Sequence, residues 1–238
     1  MLMGDTCTRN CGFCSIKSGR PGALDESEPA RIAEAVKELG LKHVVITSVT
    51  RDDLPDSGSH HFARTVREIE KQNSDVKIEC LIPDFKGNPE NLKVLLSQNL
   101  SILNHNIETT RKIFKKIKKN SDYETSLSIL KHAGSLRPDI FIKSGFMLGL
   151  GEEEKEIIEL LSDLKKADCD IVTIGQYLRP SGLNLPVIKY YSPGEFVKIR
   201  KSAEKFGFKA VISGIFVRSS YNAAAVLDKI LKMQDAWQ

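Results

Sequence analysis

Gly4-Asp5-Thr6-Cys7-Thr8-Arg9-Asn10-Cys11-Gly12-Phe13-Cys14 places three cysteines within eight residues. Cys-x-x-x-Cys-x-x-Cys spacing supplies three thiolates, whereas iron–sulfur clusters and structural zinc usually take four protein ligands. One coordination position is therefore left open. An open iron beside the ring of Phe13 is a place where a small molecule can chelate and react. The same stretch also reads as a zinc knuckle completed by a distant Cys or His, or as three unrelated cysteines.

Outward from this loop, short apolar runs alternate with amphipathic stretches. His43–Thr47, Val76–Ile82, Ser101–Asn104, Ile140–Ile142 running on to Met147, Ile171–Ile174 and Ala210–Ile212 read as buried strands. Between them Pro29–Leu39, His61–Lys71, Pro89–Leu96, Tyr123–Ala133, Glu152–Ala167 and Pro193–Phe206 read as helices. Pro29, Pro89 and Pro193 sit near helix starts, where a missing N–H costs nothing. This alternation predicts an α/β fold of parallel strands with right-handed crossovers. About six such units predict a partial or full barrel, with an open doubly wound sheet as the alternative. No linker, repeat or low-complexity segment divides the chain, so residues 1–238 read as a single domain, ending in a C-terminal segment from 213 to 238.

Composition limits the function classes. Hydrophobic residues make up 41% and charged residues 28% of 238 residues, which fits a folded enzyme and no membrane span. No secretory leader is visible at the N-terminus, and five cysteines, three of them clustered, suit a reducing compartment and cofactor ligation, so a cytoplasmic location is expected. The net charge of +4 permits an acidic protein partner, and no nucleic-acid-binding motif is present.

In parallel α/β folds ligands gather at the carboxyl ends of the strands. The segments found there are polar: Thr47–Asp53, Pro83–Phe85, His105–Thr109, Gly149–Glu152, Gly175–Ser181 and Ser213-Gly214. Among them, Gly145-Phe146-Met147-Leu148-Gly149-Leu150-Gly151-Glu152 permits close backbone approach, and Glu152 is placed to cap the next helix. This stretch resembles the Gly-x-Ile-x-Gly-x-x-Glu segment of radical S-adenosylmethionine (SAM) enzymes, and it follows Cys7–Cys14 in the order of that family. Thr47–Asp56, Leu81–Phe85, Asn104–Thr109, Lys143–Gly145, Thr173–Leu178, Leu185–Val187 and Arg218-Ser219-Ser220-Tyr221 together resemble lipoyl synthase, from about residue 4 to about residue 223.

The resemblance implies a partial (β/α)6-type radical SAM barrel that inserts sulfur at carbons 6 and 8 of an octanoyl group carried on a protein lysine. Cys7, Cys11 and Cys14 would hold a 4Fe–4S cluster, whose reduction cleaves SAM to a 5′-deoxyadenosyl radical. Phe13, Met147 and the stretch Gln176, Tyr177, Leu178 would line the adenine. Glu108 and the Thr47–Arg51 loop, including Ser48, would hold the ribose and the methionine end. Arg51 suits a carboxylate, and pairing with Asp52 or Asp53 is its other reading. Expected partners are octanoylated lipoyl domains or another carrier protein, with reduced ferredoxin or flavodoxin as electron donor.

Members of the family also carry an auxiliary 4Fe–4S cluster as sulfur donor, held by a Cys-x4-Cys-x5-Cys stretch upstream and by a serine of the Arg-Ser-Ser-Tyr segment. Ser220 is the expected oxygen ligand and Ser219 the second candidate. Only six residues precede Cys7, so the chain reads as a shortened form of a longer product, or as a short homologue with another sulfur source. The expectation is a chain that cleaves SAM without completing a lipoyl group. For Arg218–Tyr221, a helix cap from Ser219 is the structural reading. Cys80 and Cys169 read as packing residues, and His105 as a mouth residue that either bonds a ligand or is satisfied in the core. The run Arg111–Lys119 reads as a basic helix face with Ile113, Phe114 and Ile117 turned inward. Two rival functions remain: a radical SAM enzyme that abstracts hydrogen without inserting sulfur, and a non-catalytic metal-binding protein.

Overall fold

The computed structural model describes residues 1–235. Residues 236–238, the end of the segment read from 213, lie outside the described residues. Two short strands, β1 (Thr6–Cys7) and β2 (Lys17–Ser18), pair in parallel and close the cysteine loop. The chain then runs through α1 (Glu28–Glu38), β3 (His43–Thr47), α2 (Ser59–Gln72), β4 (Lys77–Leu81), α3 (Pro89–Leu96) and β5 (Ile102–Asn104). Two helices follow, α4 (Arg111–Ile117) and α5 (Tyr123–Leu136), and then β6 (Phe141–Leu148) and α6 (Glu154–Lys166). The last elements are β7 (Ile171–Gln176), α7 (Pro193–Glu204), β8 (Ala210–Gly214) and α8 (Ala223–Asp235).

Strands β3 to β8 form one six-stranded sheet in sequential order, with every neighbour parallel. Sequential order decides between the two architectures left open above. Same-handed crossovers then place all helices on one face, so the sheet curls into a partial barrel; a doubly wound sheet would reverse its order midway. Leu2 adds a single parallel bridge to Ser48 beside β3. Local chemistry fixes the helix starts. Asn88 accepts from Glu90 N at 2.9 Å, Asp122 accepts from Thr125 N at 2.9 Å, and Ser192 with Glu195 forms a capping box.

Alternation along the strands divides the chain's two interiors. Ile46, Ile78, Cys80, Leu103, Ile142 and Val172 turn outward and are buried beneath the helices in the main core. The opposite faces line the lumen. At its base, the first residues of three strands (Ile102, Phe141 and Ile171) are covered by Leu227 and Ile230 of α8. The lumen is thus stoppered at the amino ends of the strands and leaves its cavities toward the carboxyl ends. No helix among the described residues is long and apolar enough to cross a membrane.

Two local expectations need correction. Glu152 does not cap α6; its carboxylate turns back to accept from Gly149 N at 2.5 Å and Leu150 N at 2.9 Å, while Glu153 forms the capping box with Glu156. Gly149 has φ +115, a conformation open to glycine, and the turn needs a carboxylate more than the helix does. Ser219 does not cap α8 either, because its hydroxyl accepts from Asn106 Nδ2 at 2.6 Å.

Candidate active site

The cysteine loop is anchored on three sides. Gly19 N donates to Cys7 O at 2.9 Å, Gly12 N to Ile117 O at 2.8 Å, and Leu185 N to Gly12 O at 2.9 Å. A side chain at position 12 would meet Leu185 Cδ1 at 2.8 Å, so the loop can lie against Leu185 only with glycine there. The thiols of Cys7, Cys11 and Cys14 are unpaired, half-buried and on one cavity wall. Cys7 Sγ accepts from Thr50 N at 3.3 Å and Arg9 N at 3.4 Å, and Cys14 Sγ accepts from Ile16 N at 3.4 Å. Such donors favour charged sulfur. Burial works against them, raising Cys14 and pushing the Cys11 thiol up to about 11. A positively charged metal centre would offset that desolvation.

Arg9, between two of these cysteines, organises the mouth. Its guanidinium binds Asp52 (Nε–Oδ2 2.7 Å, Nη2–Oδ1 3.0 Å), Asp84 (2.6 Å at both oxygens) and Ser121 Oγ (2.5 Å). One buried side chain thus ties the cysteine loop to the exits of β3 and β4 and to the turn before α5. Burial disfavours both charges, yet the hydrogen bonds with Arg9 hold the Asp84 carboxyl well below the usual carboxylate range. Arg51 is equally committed. It forms a fork-to-fork pair with Asp53 (2.9 and 2.8 Å), and Nη2 donates to Gly22 O at 3.0 Å. The carboxylate expected for Arg51 is therefore Asp53, and Arg51 lies on neither cavity wall.

Lys118 is a cation without a carboxylate partner among the described residues. It is 8% exposed and lies on the cysteine cavity wall; its Nζ stands 5.2 Å from the centre of the Phe114 ring. In the sequence it is hidden in a run of lysines. Its helical offset was the available signal: position 118 follows the buried Phe114 by four residues. His105 donates from Nδ1 to Ile82 O at 2.9 Å as its neutral tautomer, leaving Nε2 without a partner; burial and then the charge of Lys118 lower its pKa to about 4. Ser48 Oγ and Asn106 Oδ1, also on this wall, are buried without partners.

Thr47, Leu81, Asn106 and Glu108 line this cavity of about 280 Å³ and also a second one of about 350 Å³, so the two adjoin. Glu108 sits at the junction with φ +71, held by Glu108 N to Gly145 O at 3.0 Å and Met147 N to Glu108 O at 2.9 Å. A left-handed glutamate costs on the order of 1 kcal/mol or more, so the fold spends stability to aim this side chain. Burial raises its pKa. Met147, Val217, Arg218, Ser219 and Ser220 complete the second wall, with Val217 O so near Gly175 that a Cβ there would meet it at 2.2 Å. Ser219 is engaged by Asn106, whereas Ser220 is exposed.

Of the adenine wall expected from the sequence, Phe13, Met147 and Tyr177 share one apolar cluster with Leu185 and Val187. Tyr177 is fixed by its OH donating to Leu185 O at 2.8 Å. The side chains of Gln176 and Leu178 are not on that wall. Gln176 donates to Lys189 O at 3.0 Å and accepts from Tyr191 N at 2.9 Å, pinning the following connection, and Leu178 is exposed. Cys80 and Cys169 are buried away from both cavities.

The donor set is three thiols on one wall, the number taken by a cluster with one open iron. Among the described residues no three His, Cys, Asp or Glu side chains converge as the shell of one metal. A zinc site needs its sulfurs about 2.3 Å from a common centre, whereas a cluster spreads its thiolates over several irons. Known proteins agree. The family described as the Radical SAM superfamily matches residues 1–176. A lipoyl synthase of Caldanaerobacter subterraneus subsp. tengcongensis is 49% identical over 223 residues, covering 94% of this chain and 78% of that protein. The lipoyl synthase of Alkaliphilus metalliredigens is 47% identical over 98% of this chain and 81% of its own length, and that of Aquifex aeolicus is 45% identical over 94% and 81%. Among solved structures, Streptococcus suis SuiB bound to S-adenosylmethionine aligns with TM-score 0.67 at 13% identity, over 86% of this chain but only 46% of SuiB. Methylornithine synthase aligns with TM-score 0.59 at 14% identity, over 98% and 80%. At such identities these two structures establish the fold alone.

Proposed function

The chain belongs to the lipoyl synthases of the radical SAM superfamily, and from that premise we propose that its adjoining cavities insert sulfur at carbons 6 and 8 of an octanoyl group presented on a protein lysine. It is an enzyme of the radical SAM sulfur-insertion type. What carries the reading is one wall that gathers three free thiols, a buried lysine without a carboxylate, and the unpaired Ser48 Oγ and His105 Nε2.

Cys7, Cys11 and Cys14 would hold the 4Fe–4S cluster, and the cavity they line would take SAM. Bound there, cluster and SAM supply the radical chemistry that removes hydrogen from the octanoyl chain. The residues of this chain bind, orient and exclude water. Phe13, Met147 and Tyr177 offer the apolar wall for adenine. Glu108, placed by its left-handed backbone, would accept from ribose hydroxyls, and Ser48 would bond the methionine end. Lys118 takes the carboxylate, since Arg9 and Arg51 are already spent on aspartates. The second cavity, walled by Val45, Leu81, Gly145 and Thr173, receives the acyl chain.

Ser220, on the wall of that cavity, would be the oxygen ligand for an auxiliary cluster, with Ser219 already tied to Asn106. The two cysteines outside the triad are core residues, so neither is a ligand of that cluster. We read residues 1–238 as one cytoplasmic domain, with Val217–Ser220 bordering the second cavity.

The test uses reconstituted protein, dithionite, SAM and a deuterated octanoyl-lysyl peptide. Deuterium in 5′-deoxyadenosine is the expected result. No transfer would favour a different radical SAM substrate, and lipoyl product would show that the chain supplies sulfur unaided.

A further inference from the structure

The outer side of the cysteine loop carries an unusual turn. The connection from β7 to α7 is bonded to the loop at its base: Asn184 Nδ2 donates to Cys14 O at 2.8 Å, and Leu185 N to Gly12 O at 2.9 Å. The turn itself is stiffened by Ser181 Oγ to Asn184 Oδ1 at 2.8 Å, Leu183 N to Ser181 Oγ at 3.2 Å and Arg179 Nε to Asn184 O at 2.8 Å, with Arg179 also donating to Gly182 O. At the tip of this well-bonded turn Leu183 is 100% exposed. A leucine held rigidly in water pays its hydration cost without a flexible loop to relieve it, which is the condition of a preorganised contact residue.

Unpaired cations lie on the segments bonded to this turn. Lys17 and Arg20 are exposed on β2 and just beyond it, Lys116 and Lys119 flank the contact between Ile117 and Gly12, and Arg179 holds the turn. None of the five has a carboxylate partner among the described residues. The stretches 8–24, 109–121 and 177–194, which build this face, contain no Asp or Glu. An apolar knob among unpaired cations thus abuts two carbonyls of the cysteine loop, while Arg111, Lys112 and Lys189, farther along the same stretches, are paired with carboxylates of α5, α6 and α7.

We propose that this face docks the electron donor, a small acidic one-electron carrier protein, with Leu183 as its central contact and Lys17, Arg20 and Arg179 as the steering surround. The proposal rests on the cluster reading above, which requires an electron from outside. In the step the reduced carrier loses one electron and the cluster gains it, and no bond or proton moves. Position favours the donor over the acyl carrier. The face meets the cysteine loop from outside the barrel, whereas the acyl group must reach the second cavity, bordered by Arg218–Ser220.

The experiment compares two reductants on the reconstituted chain, measuring 5′-deoxyadenosine from SAM. With reduced flavodoxin, Leu183→Asp and the double variant Lys17→Glu/Arg20→Glu should each lower the rate about tenfold or more, and rising salt should slow the unaltered chain. With dithionite, which needs no docking surface, all three proteins should be equal. Equal rates with flavodoxin would overturn the proposal. A loss confined to use of an octanoylated domain would overturn it too, assigning the face to the acyl carrier. If the unaltered chain fails even with dithionite, the cluster reading falls and takes the proposal with it.

Discussion

Glu79 and Lys143 near the base of the barrel, and Glu108 and Lys118 near its mouth, are the same two residue types in one lumen, and only the first pair meets. Lys143 Nζ lies 2.8 and 3.0 Å from the two oxygens of Glu79, and Asn104 Nδ2 adds a bond at 2.8 Å. Burial opposes the Glu79 charge, but His43, Lys143 and Asn104 together lower its pKa. At the mouth, Lys118 and Glu108 form no ion pair with each other, and Glu108 adopts a strained backbone to keep its place. Compensated charge at the base holds strands together. Uncompensated charge at the mouth costs stability that only a ligand returns.

The largest effect comes from breaking the base. Lys143→Met strands the Glu79 carboxylate and should cost about 3–5 kcal/mol in urea unfolding, with Glu79→Leu added to it recovering most of the loss. SAM affinity of the folded variant should not change; a matching loss of affinity would mean that the base also serves the ligand.

Next comes pH. The unfolded His105 titrates near 6.5, while the folded ring stays neutral down to about 4. Between those values the unfolded state binds more protons, so stability falls as pH drops through that window, by about 3 kcal/mol at most. Asp84 has its folded pKa depressed, so its contribution is complete above the unfolded value and disappears only at more acid pH. His105→Gln should flatten the slope between pH 6.5 and 4, and an unchanged slope would place the titration elsewhere.

At the mouth the sign reverses. Lys118→Met should leave stability within about 1 kcal/mol while weakening SAM binding by roughly 10- to 100-fold, the range for a hydrogen bond to a charged group. Decarboxylated SAM should bind the variant and the unaltered chain alike, and Lys118→Arg should restore part of the loss. A variant that weakens both ligands equally would show a packing role. The smallest effect on SAM is expected at Arg51. Arg51→Met, checked in the same titration, should destabilise the chain and change SAM affinity less than twofold.

Those contrasts follow how much could be read before the fold was known. Strands and helices were legible because apolar period and proline position are local properties, and each expected element lies within a few residues of the observed one. The cysteine triad was legible for the same reason. Arg9 was not, because what makes it important is Asp84, 75 positions away, and Asp52, 43 positions away. Lys118 was masked by its neighbours, which are solvated while it is buried. For Arg51 the sequence left two readings open, a ligand carboxylate or a neighbouring aspartate, and Asp53 takes it; Gln176 was given to the adenine, whereas backbone groups nearby hold its side chain. Sequence reveals which groups reach the mouth; only packing reveals which are still free there.

The free thiols are the most consequential of these groups, and the most direct measurement is iron and acid-labile sulfide per chain after anaerobic reconstitution, with and without Cys11→Ala. About four of each, bound as a brown chromophore that the substitution abolishes, is the predicted result. A single colourless zinc with no sulfide, or iron that survives the loss of Cys11, would contradict it.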